Sequence, residues 1–401
     1  MNASISDENA IRTRRRLGAL ALSGAAMFCA GLFFDPAGAW SGYLVAFLFL
    51  SGLAVAGPFF LSIHHLVGAR WSTPLLPIPR AMTRLLPAAL LLGLGLLAGL
   101  HQLYEWSHAA AVEADPGLAR KSAWLGAAGF GSRLVVIFGA WILLARRVVA
   151  CEGEPRRGTV VRRTALFIAV FGVTYSVAAF DWVGSLTPHW ASTIYALDLA
   201  GGLVASGIAA VIVVAVLLRR SGRLPAALTA DRLNDLGKLA LTFSLFWGYV
   251  AYCQYMLIWY TNLPEETSHY LRRQGEGFGT LTWVNIGLNW SVPFFSLLSR
   301  AARTSEAVLF RVACVMLVGR LVDLWMHVAP TTTPGRAVPG WAAVGVVAAT
   351  TIAALYAVVA ATGARPVHDA DSDPEQTCIR PHTRSSNSSA RQEPPPCTTP
   401  S

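Results

Sequence analysis

The sequence predicts an all-α polytopic membrane protein with ten transmembrane helices. Of its 401 residues, 54% are hydrophobic and only 13% are charged, whereas soluble domains carry about 25% charged residues. Mean hydropathy is +0.49. Apolar stretches recur along the whole chain, each near the roughly 20 residues that cross a hydrocarbon core of about 30 Å. This composition excludes a soluble enzyme and a disordered chain. The net charge of +10 does not mark a nucleic-acid binder, because the basic residues line no polar face.

The spans are expected at 17–34, 40–67, 84–104, 122–145, 163–181, 191–218, 237–260, 278–299, 305–329 and 341–363. They form one membrane domain, 17–363, after a basic arm at 1–16. The first span follows Arg12, Arg14, Arg15 and Arg16, as a signal peptide would. It reads as a span because no small-x-small site opens onto a polar mature domain. The tail at 364–401 is rich in Pro, Ser and Thr without apolar periodicity, so disorder is expected there.

Orientation follows from the loops. Those on the amino-terminal side hold 24 Lys and Arg, and the opposite set holds 5, namely Arg120, Lys121, Arg272, Arg273 and Arg336. The positive-inside rule then makes both termini cytoplasmic, as an even number of spans requires.

Cysteine spacing removes several chemistries. Cys29, Cys151, Cys253, Cys314, Cys378 and Cys397 form no C-x-x-C and no C-x-x-C-H. Neither covalent haem nor a thiolate-ligated cluster is expected, and no phosphate-loop motif occurs. A b-type haem would need two imidazoles facing each other. His64, His65, His101 and His327 lie near span ends, where interfacial or hydrogen-bonded histidine is the reading adopted.

Acidic residues gather toward the outer ends of the spans. Glu105 closes span three and Asp181 closes span five. Glu265 and Glu266 follow span seven. Asp198 lies two turns into span six, and span nine carries Arg320, Asp323 and His327. Ionisable groups in lipid cost about 2.5–3.5 kcal/mol each even on insertion scales, so each is a candidate for a proton route or ligand site. Structural roles stand beside this reading. Asn262-x-x-Glu265 fits a capping box opening a short helix through Arg273. Thr187 before Pro188 fits a cap for span six. Arg320 and Asp323, three residues apart, can neutralise each other. Arg133 within span four must also face protein, with no partner evident.

Spans two to five and six to nine run in the same senses and resemble a duplicated four-helix bundle. Phe180-Asp181-Trp182 in one half matches Val322-Asp323-Leu324-Trp325 in the other. Spans one and ten then flank the two bundles.

Two longer motifs carry a resemblance. They are Phe180-Asp181-Trp182-Val183-Gly184-Ser185-Leu186-Thr187-Pro188-His189-Trp190-Ala191-Ser192-Thr193-Ile194-Tyr195 and Gln254-Tyr255-Met256-Leu257-Ile258-Trp259-Tyr260-Thr261-Asn262-Leu263-Pro264-Glu265-Glu266. Gly68-Ala69-Arg70-Trp71, Leu103-Tyr104-Glu105-Trp106 and Asn289-Trp290-Ser291-Val292-Pro293-Phe294 accompany them. Over roughly residues 15–330 the chain resembles the second NrfD-like, polysulfide-reductase-type membrane subunit (ActF-type) of alternative complex III, a bacterial quinol:cytochrome c or quinol:electron-acceptor oxidoreductase. The resemblance implies ten helices in two bundles. It implies a second NrfD-like membrane subunit as partner, with periplasmic iron–sulfur and multihaem cytochrome subunits. It further implies a subunit that binds no cofactor of its own, meets quinol as substrate, and contributes proton conduction and scaffolding. Two other classes share these features: a quinol-binding subunit of the wider polysulfide-reductase-like group, and a secondary transporter. The transporter class expects paired Gly/Pro-broken helices, whereas Pro293 in span eight has no counterpart in span four.

Overall fold

A computed structural model describes residues 2–223, 228–275 and 277–362, with side chains from residue 11 onward. The expected disordered tail lies outside the described residues. No strand occurs among those described.

The long helices are α1 (Asn2–Phe34), α2 (Pro36–Val67), α3 (Thr73–Leu103), α4 (Ala127–Val149) and α5 (Arg157–Trp182). They continue with α6 (Tyr195–Arg220), α7 (Ala230–Thr261), the interrupted α8, α9 (Glu306–Thr332) and α10 (Trp341–Thr362). Helix α8 runs as Phe278–Ile286, a π-helical turn Gly287–Ser291, and Val292–Leu297. Eight helices are long and apolar enough to cross a membrane, namely all of these except α8 and α9. Helix α3 is itself interrupted, by a 3₁₀ turn at Leu96–Gly99, and α9 carries Glu306, Arg311, Arg320 and Asp323.

Local chemistry sets the helix ends. Asp35 accepts the Gly38 amide and Pro36 opens α2, the residue type whose missing N–H costs nothing there. Thr229 accepts the Arg232 amide to start α7. Helix α1 begins at Asn2 and so runs through the basic segment before its apolar part. The stretch around Arg80, expected as a loop, is helical at Pro77–Thr83 and forms part of α3.

Helices α2 and α6 form the centre. Of their apolar windows 83% and 89% is buried, against 28–39% for α3, α4, α5, α7 and α10. They approach closely: a Cβ on Gly207 of α6 would fall 2.5 Å from Ala56 Cβ of α2. Around α2 pack α3, α4 and α5. Around α6 pack α7 and α9, with α8 wedged between those two. We call these groups the first and second bundles. Helices α1 and α10 pair with each other against α2.

Polar contacts gather the connections at two ends. At one end Asp115 meets His189 Nε2 at 2.7 Å, Lys121 donates to the Pro188 carbonyl, and Arg336 meets Asp35 at 3.0 Å. At the other, Arg157 donates to the carbonyls of His65 and Leu66 at 2.7 and 2.8 Å, and Arg232 donates to the Trp71 carbonyl at 3.1 Å. Arg219 and Arg220 both reach Glu306 there. The Arg-rich connections therefore share one end, as the loop count requires.

Two expected caps do not form. Asn262 closes α7 in the left-handed region, at φ 48°, and the short helix Pro264–Leu271 begins after Leu263 with no side-chain cap. Asn tolerates that conformation because its short polar side chain satisfies local groups, so the Asn262–Glu265 capping box is replaced by a helix stop. Thr187 does not cap α6. A turn brings the Trp190 amide to the Thr187 carbonyl at 3.0 Å, and α6 starts only at Tyr195 after Ile194.

Candidate functional site

Helix α9 carries Arg320, Asp323 and His327 at helical spacings of three and four, so they share one stripe. The stripe faces the first turns of α6. His327 Nε2 lies 3.4 Å from Asp198 Oδ2 and 3.7 Å from Asp323 Oδ1. Arg320 pairs with Asp323 Oδ2 and gives a second hydrogen bond to the Leu199 carbonyl at 3.1 Å. The approach depends on Gly202, one turn beyond Asp198. A Cβ there would fall 2.1 Å from Arg320 Nη1, so only glycine admits the guanidinium. Asp198, Arg320 and Asp323 are each 5% exposed or less.

Helix α8 completes the carboxylate's surroundings. Asn285 donates to Asp323 Oδ1 at 3.1 Å, and Asn289 donates to Asn285 Oδ1 at 2.7 Å. Asn289 belongs to the π turn, and Ser244 of α7 donates to its carbonyl at 2.6 Å. Such turns widen a helix locally and recur at functional sites.

Toward the Asp115–His189 end, the Tyr195 hydroxyl lies 3.1 Å from His327 Nδ1. Trp190 and His269 stack with ring centroids 3.6 Å apart and planes inclined by 8°, and Tyr195 meets both rings edge-on. Arg273 fixes this arrangement. Its Nε donates to the Met326 carbonyl at 3.1 Å and its Nη1 to the His269 carbonyl at 2.8 Å. Pro330 cannot donate to Met326, four residues earlier, so Arg273 fills the acceptor that proline leaves open. Burial, then the Arg273 charge, push the His269 imidazole far below its usual range and keep it neutral. Burial and the Asp198 carboxylate push the Tyr270 phenol up. Asp198 Oδ1 and His269 Nδ1 are buried without a hydrogen-bond partner among the described residues.

The arrangement places one imidazole between two buried carboxylates, with a phenol on its other nitrogen.

The remaining candidates lie elsewhere. Asp181 is buried in the first bundle, where Trp124 Nε1 donates to Oδ1 at 2.7 Å and Arg133 Nε pairs with Oδ2. This supplies the partner for Arg133 that the sequence left open. The two bundles match here. Arg133 near the start of α4 holds Asp181, and Asn285 near the start of α8 holds Asp323. Glu105 and Glu265 are exposed, and Glu266 accepts from the Thr261 hydroxyl at 3.3 Å. His101 packs beside His108, not His327. Sequence reading missed Tyr195, His269, Arg273, Asn285 and Asn289. Only the i,i+4 asparagines within an apolar stretch offered a signal.

Fold and site together define an all-α, multi-pass membrane protein with a buried ionisable network. No protein-family model matches the chain, and no curated protein matches it.

Proposed function

We propose that the chain is an integral membrane subunit of a bacterial quinol:electron-acceptor oxidoreductase of the alternative complex III type, contributing proton conduction and scaffolding. The observation that carries the conduction part is the contact between His327 and Asp198 at 3.4 Å inside the bundle. Carboxylates at that depth persist only where protein or water solvates them, and a proton-exchanging network needs the same solvation. The resemblance of the Phe180–Tyr195 and Gln254–Glu266 stretches supplies the kind of complex. In this reading α8 and α9 also cross the bilayer, giving ten crossings. The Arg-rich end is cytoplasmic, and so are both termini. The partners are a second NrfD-like subunit and periplasmic iron–sulfur and multihaem cytochrome subunits. Quinol is met as substrate, and no cofactor is held by this chain.

The break in α8, at its π turn and Pro293, would suit a secondary transporter. Its counterpart α4 is continuous from Ala127 to Val149, so the paired break of such sites is missing. The test is purification of the tagged chain from native membranes in mild detergent. A multihaem c-type cytochrome and quinol-dependent reduction should co-purify with it. Purification of the chain without either would refute the assignment.

A further inference from the structure

A small cavity lies where the two bundles meet. It is lined by Ser51 and Gly52 of α2, Trp141 of α4, Tyr175, Ala179 and Trp182 of α5, and Leu199, Arg320 and Leu324 of the second bundle, among others. The space open to the centre of a water molecule is about 20 Å³. That exceeds the 10–15 Å³ or so that one water needs. Two of these lining residues carry a buried polar atom, Ser51 Oγ and Trp182 Nε1, that makes no hydrogen bond among the described residues. Leaving a buried donor or acceptor unsatisfied costs about 1–3 kcal/mol, and native interiors avoid this with ordered water.

We propose that this cavity is a water-binding site that extends the Asp198–His327–Asp323–Arg320 network across to the first bundle. The size, the two orphaned atoms and Arg320 on the wall supply what a buried water requires, namely room and two to four polar partners. A water there accepts from Trp182 Nε1 and donates to Ser51 Oγ. It also solvates the face of Arg320 turned toward α2 and α5. Trp182 belongs to the first bundle and Arg320 to the second, so the site bridges the two. The proposal deepens the conduction reading and rests on it only for the idea of a route, because the water itself is tested separately.

Radiolytic hydroxyl labelling, read by mass spectrometry, reports bound water beside a buried side chain without requiring proton transfer. In the full-length protein within membranes, Trp182 and Trp141 should label several-fold faster than Tyr104, which is equally buried and lies away from the cavity lining. Ala179→Val should fill the cavity and bring both tryptophans down to the Tyr104 rate. Ser51→Ala, which keeps the packing and removes a polar partner, should lower Trp182 labelling in part. Trp182 and Trp141 labelling no faster than Tyr104 in the wild type would overturn the water site. Labelling of both tryptophans together with absent proton conduction would leave the site standing and refute the conduction reading.

Discussion

Arg133 of α4 pairs through Nε with Asp181 of α5, and its guanidinium carbon lies 4.2 Å from the centre of the Trp124 ring. This pair is a balanced couple with no histidine, whereas the corresponding position of the second bundle joins a histidine and a second carboxylate. The first bundle's acid therefore has a structural role. Arg133→Ala leaves Asp181 buried and unpaired, a change that costs about 3–5 kcal/mol. The double variant with Asp181→Asn should recover part of that loss. Detergent-based unfolding of the wild type and both variants checks this, and an Arg133→Ala protein as stable as wild type would contradict it.

Gly202 makes room for the Arg320 guanidinium. Gly202→Ala should displace Arg320 from Asp323 and cost about 1–3 kcal/mol, the usual range for overpacking a filled core. Gly139→Ala is the control, because no atom lies within 4 Å of a Cβ placed there. The two variants should differ clearly in thermal stability.

His269 gives the protein a pH dependence. Its imidazole is held below its ordinary value by burial and by Arg273, so below a pH of about 6.5 the unfolded chain binds a proton that the native state refuses. Stability should thus fall on acidification, at up to about 1.4 kcal/mol per pH unit from this group. His269→Phe keeps the stack on Trp190 and removes the titration. Denaturation between about pH 7 and 5 should show a shallower slope for this variant, and identical slopes would sink the assignment.

Reporter fusions test the orientation. Fusions after Arg156, after Arg223 and at the carboxyl terminus should report the cytoplasm, and those at Gly184 and Gly275 the periplasm. A periplasmic carboxyl terminus would overturn both the count of ten crossings and the charge argument.

Much of the site was legible because helical spacing is rigid. Arg320, Asp323 and His327 fall on one stripe from sequence alone, and the depth of Asp198 in α6 set it level with them. The missing parts depend on geometry that spacing does not encode. Asn285 reaches Asp323 directly, and Asn289 supports it from the π turn, which departs from the 3.6-residue period. His269 and Arg273 sit in a short connection whose position is set by Trp190 and by the Met326 carbonyl. Arg133 and Asp181 lie on different helices, so only tertiary packing reveals the pair. The misread caps have a similar origin. Asn262 and Thr187 carry capping chemistry, but Asn262 closes α7 instead of opening the next helix, and a turn separates Thr187 from the start of α6 at Tyr195.

In the proposed function the Asp198–His327 contact exchanges protons. Asp198→Asn keeps the shape of the site and removes the exchangeable acid. In the assembled complex, reconstituted in vesicles, it should leave subunit composition intact and lower the proton yield per quinol oxidised, or the turnover itself. Asp198→Asn complexes with wild-type turnover and wild-type proton yield would contradict the account and leave the network a purely structural one.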